Sequence, residues 1–258
     1  MQTAIIKTKK EIAIMREGCK KTAQIVEELG RNLKPGISTL EVDELAEKLI
    51  LNMGGTPAFK GYGKESGYPF PATICASINN EVVHGIPKKE RILQEGDIFK
   101  IDTGMVYKGM FTDMTRAFAV GKISDEKKKI ISVAKGAFYA GLEKMRPDGL
   151  LSDYSKAVQK YVEKNGFSVV RDLTSHGIGK NLHEPPQILN YYHKGYQDLR
   201  LRAGMTFALE PIISTGSPEI ITGKDGWTLE TMDGSLSGHW ENTILITENG
   251  AEILTLPR

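Results

Sequence analysis

Five side chains that could ligate a metal ion lie in short apolar or glycine-flanked stretches of this chain. They are four carboxylates and one imidazole: Asp102, Asp113, His176, Glu210 and Glu241. Burying a charge without a partner costs free energy, so acidic residues in apolar surroundings indicate a cation. This oxygen-rich set suits two adjacent divalent ions such as manganese, iron or cobalt, with zinc less favoured.

The two aspartates lie on strand-like segments that a short polar link joins, DIFKIDTGMVY and MFTDMTRAFAV. Gly109 supplies the permissive backbone of a tight hairpin. A turn at Tyr107 and Lys108 predicts that Asp102 faces Asp113 across the sheet. Two like charges in that position repel each other, so the hairpin favours a metal ion between them.

Three of the five histidines lie in segments where glycine and proline fix the backbone path: His84, His176 and His183. The glycines and prolines of SHGIGKNLHEPP exclude a helix around the last two. A lone histidine is more often an ordinary hydrogen-bonded side chain, and we interpret His193 and His239 in that way. The grouping of the other three indicates a functional site.

Helix-start and helix-stop signals predict four helices. Thr8 and Ser38 are each followed three residues later by glutamate, which is the capping-box pattern. The predicted helices run from Thr8 to about Leu33, from Ser38 to Gly54, from Ser124 to Met145, and from Ser152 to Asn165.

The order of these elements repeats along the chain. LKPGISTL matches MRPDGLLS, and LQEGDIFKID matches LRAGMTFALE at nearly the same spacing. We therefore predict a single domain, residues 1–258, made of two related halves of about 8–121 and 122–258. A pseudo-two-fold axis between the halves would bring Asp102 and Glu210 to one central site.

Composition narrows the class of protein. Of 258 residues, 40% are hydrophobic, which is ample for a sizeable core. The 34 basic and 32 acidic residues nearly balance, so the charge gives little support to a nucleic-acid role. Cys19 and Cys75 are too few for a disulfide framework. With no signal peptide and no run of transmembrane length, we expect a cytoplasmic protein without membrane association.

Taken together, the motifs resemble those of type I methionine aminopeptidases of metallopeptidase family M24. The resemblance runs through NEVVHGIP, GDIFKIDTG, FTDMTRAFAVG, SHGIGKNLHEPP, GMTFALEP and HWENTILITENGAEILT. It implies an α+β fold, the duplicated pita-bread fold, in which two helix pairs cover a curved antiparallel sheet with pseudo-two-fold symmetry. The short stretch between His183 and Glu210 leaves no room for the helical insertion of type II enzymes, and we expect no zinc-binding N-terminal extension.

The resemblance also implies an activity and its cofactors. The activity is removal of the initiator methionine from nascent proteins and peptides when the second residue is small. The cofactors are two divalent ions, cobalt, manganese, iron or zinc. Asp113 and Glu241 would bridge the ions, His176 and Glu210 would complete one, and Asp102 would chelate the other. A metal-bound hydroxide would attack the first peptide bond.

The family's catalytic and pocket residues are carried over in the same way. Glu210 would handle protons, His183 would contact the scissile carbonyl and developing oxyanion, and His84 would contact the peptide nitrogen. An apolar pocket for the first residue is predicted from these side chains: Phe59, Tyr62, Cys75 and Trp227. The segment GYGKESGYPFPATIC departs from the family's GYGGFPASIC, so Tyr68 or Phe70 is an alternative to Tyr62.

Two rival functions are weighed against this one. A proline-specific aminopeptidase of the same fold would keep the five ligands but usually carries an additional N-terminal domain. A binding protein of that fold would have lost its ligands, whereas all five positions are filled here. The expected partners are nascent polypeptide N-termini, with transient ribosome contact through lysine patches and no specific nucleic acid. We expect a monomer.

Overall fold

The structure is a computed structural model that describes residues 3–195 and 198–256. Within them lie four α-helices, one 3₁₀ turn at Lys64–Ser66 and seventeen short strands. The helices are α1 (Lys9–Asn32), α2 (Thr39–Asn52), α3 (Asp125–Leu142) and α4 (Leu151–Lys164). The strands of the first half of the chain are β1 (Thr56–Pro57), β2 (Ile74–Ile78), β3 (Glu81–Val83), β4 (Ile98–Thr103), β5 (Met105–Tyr107), β6 (Met110–Phe111) and β7 (Met114–Ala119). Those of the second half are β8 (Ser168–Val169), β9 (Thr174–Gly177), β10 (Glu184–Leu189), β11 (Thr206–Leu209), β12 (Ile212–Ser214), β13 (Ile220–Thr222), β14 (Leu229–Thr231), β15 (Ser237–His239), β16 (Asn242–Thr247) and β17 (Gly250–Ile253).

Local capping explains where the first three helices begin. The Thr8 hydroxyl accepts the Glu11 N–H, and the Glu11 carboxylate accepts the Thr8 N–H at 2.8 Å. Ser38 and Glu41 repeat this capping box, and the Ser124 hydroxyl caps α3. Each cap satisfies backbone donors that would otherwise lack a partner. The three predicted starts are confirmed, although α3 ends at Leu142 rather than at Met145.

The predicted start of α4 is wrong. Ser152 lies inside the helix, and the cap residue is Leu150, whose side chain makes no capping hydrogen bond. The Ser152 N–H donates instead to the Asp198 carboxylate, which lies 46 residues away in the chain, at 3.0 Å. A cap supplied from a distant segment leaves no local sequence pattern.

Two antiparallel sheets form the centre of the fold. The first has the strand order β2-β4-β7, and the second has the order β10-β9-β11-β16-β17. Three smaller sheets flank them, with the orders β1-β5-β6, β15-β12-β8 and β13-β14-β3. Across the described residues, no helix combines the length and apolar character needed to cross a bilayer.

One helix pair packs with each central sheet. Leu29 of α1 and Ile50 of α2 are buried with Phe99 of β4, while Phe138 of α3 and Tyr154 of α4 are buried in a second cluster that includes strand residues of the second sheet. Burying one large apolar side chain contributes about 1.5–3 kcal/mol, so these two clusters fix the helices on the sheets.

The hairpin that carries Asp102 differs from its prediction. The turn lies at Lys108 and Gly109, whose φ angles are 48° and 80°, because Tyr107 pairs with Met110. This moves the register by two residues, so Asp102 pairs with Thr115 and not with Asp113. A two-residue shift preserves the face of the sheet, and the two aspartates therefore become diagonal neighbours on one face.

The two central sheets meet at the starts of β7 and β16. The Asp113 N–H donates to the Thr243 hydroxyl at 3.1 Å, and that hydroxyl donates to the Asp113 carbonyl at 2.8 Å. The Glu241 N–H donates to the Thr115 carbonyl at 3.2 Å. These bonds place Asp113 and Glu241, one from each half of the chain, beside each other.

Candidate metal centre

All five predicted ligand side chains line one cavity of about 590 Å³. Strand ends carry four of them. Asp102 lies near the end of β4, Glu210 directly follows β11, and Asp113 and Glu241 directly precede β7 and β16. His176 lies within β9, and its imidazole, Asp113 and Glu241 offer ligand atoms within 4.8 Å of one another.

The hydrogen bonding of His176 leaves one ring nitrogen directed at carboxylates. Nδ1 lies 2.8 Å from the Gly177 carbonyl, which accepts its proton. Burial lowers the pKa of the His176 imidazole to about 3, so the ring is neutral and Nε2 is an acceptor. Nε2 lies 3.5 Å from Glu210 Oε1 and 3.8 Å from Asp113 Oδ2. Buried acceptor atoms that converge in this way match a position for a cation, and the Nδ1 bond orients the ring as in known metal sites.

Gly177 brings two backbones together beside His176. A Cβ atom at this position would lie 2.3 Å from the Pro185 carbonyl oxygen. The glycine is therefore needed for the close approach of the segment that carries His183 to strand β9.

The carboxylates carry unsatisfied oxygens and raised pKa values. Oδ1 of Asp102 and Oδ1 of Asp113 are buried and have no hydrogen-bond partner. Burial raises the pKa of Asp102 to about 7. Burial, and then the neighbouring Glu241, Asp102 and Glu210, raise the pKa of Asp113 well above its ordinary value. Burial and the charges nearby do the same for Glu210 and Glu241. A divalent cation would satisfy these oxygens and remove the mutual repulsion, so the residues fit such an ion.

Two neighbouring residues hold Glu241 in place. The Thr115 hydroxyl donates to Glu241 Oε2 at 2.8 Å, which leaves the other carboxylate oxygen free to ligate. The Arg116 guanidinium donates to the Glu241 carbonyl at 2.6 Å and lies 4.2 Å from the centre of the Trp240 ring. This support fixes the direction of the carboxylate.

Both predicted catalytic histidines border the same cavity. His84 has a positive φ of 57°, a conformation that few non-glycine residues adopt. Burial lowers its pKa to about 4, so its ring is neutral near pH 7. The His183 ring lies 4.4 Å from the His176 ring, and its Nδ1 is 2.6 Å from the Tyr62 hydroxyl. Desolvation within the cleft lowers the pKa of His183, although water reaches one side of its ring.

An apolar region of the cavity lies beside the carboxylates. Its side chains include the four predicted pocket residues and also Phe70 and Leu182: Phe59, Tyr62, Phe70, Cys75, Leu182 and Trp227. Tyr62 and Phe70 thus both line the cavity, so neither replaces the other. Burial raises the pKa of the Cys75 thiol well above its ordinary value, which leaves it protonated and apolar.

One residue near the site was not identified from the sequence, and a second makes a contact that the sequence did not predict. His239, interpreted there as an ordinary hydrogen-bonded residue, has its Nε2 buried and 3.5 Å from Glu210 Oε2. Its place two residues before Glu241 was the one available signal. Tyr68 stacks on Trp227 with ring centres 6.3 Å apart. No local pattern could indicate this contact, because the two residues are far apart in the chain.

Comparisons with known proteins agree with this geometry. The model of metallopeptidase family M24 matches residues 13–248. The chain is 45% identical over 252 residues to the methionine aminopeptidase of Clostridium perfringens, covering 98% of each chain. The crystal structure of methionine aminopeptidase from Rickettsia prowazekii superposes with a TM-score of 0.93 at 39% identity, covering 98% of this chain and 100% of that one.

The fold extends to more distant proteins. Prolidase from Pyrococcus furiosus superposes with a TM-score of 0.78 at 24% identity, and the match covers 99% of this chain but 66% of the prolidase. This likeness concerns the fold alone. With the Rickettsia structure, it confirms the predicted α+β pita-bread fold.

Proposed function

The chain belongs to metallopeptidase family M24, and we propose that it removes the initiator methionine from nascent proteins and peptides whose second residue is small. Its relatives at about 45% identity over nearly the whole length are methionine aminopeptidases. The proline-specific proteins of this fold are matched over about two thirds of their length and at 24% identity or less, so the methionine-specific branch is favoured.

One observation carries the proposal: a cluster of four carboxylates and an imidazole shares a cavity with an apolar pocket. An exopeptidase needs both parts, because the pocket must select the first side chain while the cluster acts on the bond that follows it. An unbranched thioether fits walls such as Phe59, Phe70 and Leu182, which carry no charge.

Five residues would hold two divalent metal ions. Asp113 and Glu241 would bridge them, His176 and Glu210 would complete one coordination sphere, and Asp102 would chelate the other ion. Such ions supply Lewis-acid polarisation of the carbonyl and lower the pKa of bound water from its bulk value towards about 7. Cobalt, manganese, iron and zinc all accept this donor set, and the carboxylate excess favours the first three over zinc.

The two histidines outside the ligand set would bind the substrate. When the Tyr62 hydroxyl donates to His183 Nδ1, the ring proton resides on Nε2, which is then a donor. His183 would donate that proton in a hydrogen bond to the scissile carbonyl as negative charge develops on its oxygen. His84, neutral and fixed by its backbone conformation, would contact the peptide nitrogen.

Glu210 would transfer a proton from the attacking water to the leaving amine. Its carboxylate borders both His176 and His239, and its pKa is raised by burial and then by Glu241. A carboxylate in such surroundings can accept a proton from the attacking water and return it to the leaving amine.

The wider setting is also proposed. Buried free thiols at Cys19 and Cys75 support a reducing compartment, the cytoplasm, where nascent chains are made. Exposed lysines would permit transient ribosome contact, without specific binding of nucleic acid, and we propose a monomer. We also propose that the chain is one domain of two related halves, since each central sheet has its own helix pair.

The deciding experiment measures free methionine released from a Met-Ala-Ser peptide. Metal-stripped protein is assayed with manganese, iron, cobalt or zinc added back, and an Ala-Pro peptide is the control. We expect metal-dependent release from Met-Ala-Ser alone. Cleavage of Ala-Pro instead would move the protein to the proline-specific branch, and no cleavage of either peptide would favour a binding protein.

A further inference from the structure

The pocket for the first residue is formed by two separate parts of the chain. One part is the segment of residues 59–70, which carries Phe59, Tyr62 and Phe70. The other is the turn between β13 and β14, which carries Trp227. The distance between these parts sets the width of the pocket, so whatever joins them affects which side chains fit.

Tyr68 joins the two parts. Its ring stacks on the Trp227 indole, with centres 6.3 Å apart and planes inclined by 16°. Its hydroxyl donates to the Asp225 carbonyl at 2.9 Å. Tyr68 is 56% exposed and does not line the cavity that Trp227 lines. One side chain thus makes both an aromatic and a polar contact across the gap.

The turn that contacts Tyr68 has a backbone shape that hydrogen bonds fix. The Asp225 carboxylate accepts the backbone N–H groups of Trp227 and Thr228, which fixes the shape of the turn. Gly226 has a φ of 74°, and a Cβ atom there would lie 3.3 Å from the Tyr68 ring. The backbone at Gly226 therefore lies close to the Tyr68 ring.

The contact reaches the catalytic side of the pocket through Trp227. The edges of the indole and its neighbours meet in T-shaped contacts, with ring centres 5.3 Å from Phe70 and 6.1 Å from His84. A shift of the indole would widen the pocket and remove a contact from His84. Tyr68 also lies in the stretch GYGKESGYPFPATIC, which departs from the family's usual motif.

We infer that Tyr68 is a specificity-determining residue, which holds Trp227 against the pocket and thereby restricts the first substrate residue to an unbranched side chain. This inference rests on the proposed function. An aromatic pair and a neutral hydrogen bond each contribute modestly, so the loss of both should change selectivity by about tenfold.

The test compares Met-Ala-Ser with Leu-Ala-Ser as substrates of the metal-loaded enzyme. For Tyr68→Ala we expect KM for Met-Ala-Ser to rise about tenfold while kcat changes little, and the preference for methionine over leucine to fall by a similar factor. Tyr68→Phe keeps the stacked ring and loses the hydroxyl, so about a threefold rise in KM is expected. Acrylamide should quench tryptophan fluorescence more strongly in Tyr68→Ala, because Trp227 loses its cover.

Tyr192→Ala is the matched control, since Tyr192 is also an exposed tyrosine, at 46%. The Lys156 ammonium lies 4.8 Å from the centre of its ring, and Tyr192 does not line the cavity. Its KM and selectivity should equal those of the unsubstituted protein. Unchanged KM and selectivity in both Tyr68 variants would overturn the inference alone. No methionine release by the unsubstituted protein with any metal would overturn the proposed function, and this inference with it. If Tyr68→Ala fails to fold, Tyr68→Phe decides by the same comparison.

Discussion

Asp113 is the residue on which the carboxylate cluster depends most directly. It is 4% exposed, its Oδ1 has no hydrogen-bond partner, and burial followed by three other carboxylates raises its pKa. Its position where the two sheets meet lets it face ligands from both halves of the chain. The buried Asp113 carboxylate is therefore stabilised when a cation binds to it and destabilises the fold when no cation is present.

Replacing Asp113 with alanine should abolish methionine release and weaken metal binding, because the variant lacks one of two bridging carboxylates. Metal content after dialysis and calorimetric titration with manganese would measure this loss. Asp125→Asn, a change at a side chain that is 96% exposed, is the control and should bind metal normally. A normal metal content and a normal rate of methionine release in Asp113→Ala would contradict the proposal of two bridged metal ions.

His183 should behave differently, because it is proposed to contact substrate and not metal. His183→Ala should lower kcat by about 10²–10³, the cost of losing one donor to a developing oxyanion. Its metal content should match the unsubstituted protein. Tyr62→Phe removes the partner of Nδ1 and should lower kcat by a smaller factor, about two- to tenfold. Metal loss from His183→Ala would contradict the assignment.

At the scale of elements, the sequence predicts helix caps formed by neighbouring residues but not contacts formed between segments that are distant in the chain. The caps of α1, α2 and α3 depend on residues three positions apart, so sequence alone reveals them. The α4 cap uses Asp198, and the Tyr68 contact uses Trp227, both brought close by the fold alone. The predicted hairpin register differs from the structure by two residues, because the turn lies at Lys108 and Gly109 and not at Tyr107 and Lys108, and a two-residue difference keeps the same face of the strand.

A buried ion pair links the N-terminal segment to the start of β10. Lys7 Nζ lies 2.7 Å from Glu184 Oε2, and both side chains are 1% exposed. The Glu184 carboxylate also accepts the backbone N–H groups of Lys180 and Asn181. Because Glu184 directly follows His183, this pair holds the loop that carries a proposed catalytic residue.

Lys7→Met should destabilise the fold by about 3–5 kcal/mol, since it leaves the Glu184 charge buried without its partner. The denaturant midpoint measures this change. Lys9→Met, at an exposed position of the same charge, should stay within about 0.5 kcal/mol. Equal midpoints for the two variants would show that the pair contributes nothing to stability.

At the scale of the whole molecule, the cluster joins the two halves and couples metal binding to folding. Asp102 and Asp113 come from the first half, and His176, Glu210 and Glu241 come from the second. Without metal, the folded chain keeps protons on carboxylates that the unfolded chain releases near pH 4. Stability from these groups is therefore present at low pH and lost as pH rises through their raised pKa values, about 7 for Asp102.

Metal should reverse this loss, so the stability that manganese adds should grow with pH. For Asp102 this rise should lie between about pH 4 and about pH 7, its ordinary and its raised pKa, at about 1.4 kcal/mol per pH unit for the one proton that the metal displaces. Denaturant midpoints with manganese and with a chelator measure it. Burial lowers the pKa of Lys100 to about 7, so this residue makes the fold more stable as pH rises above that value. Because Lys100 is the same with and without metal, its contribution largely cancels from the stability that metal adds. A gain that stays constant with pH would mean that the carboxylates are already ionised without metal, and the cluster would then not be the link between binding and folding.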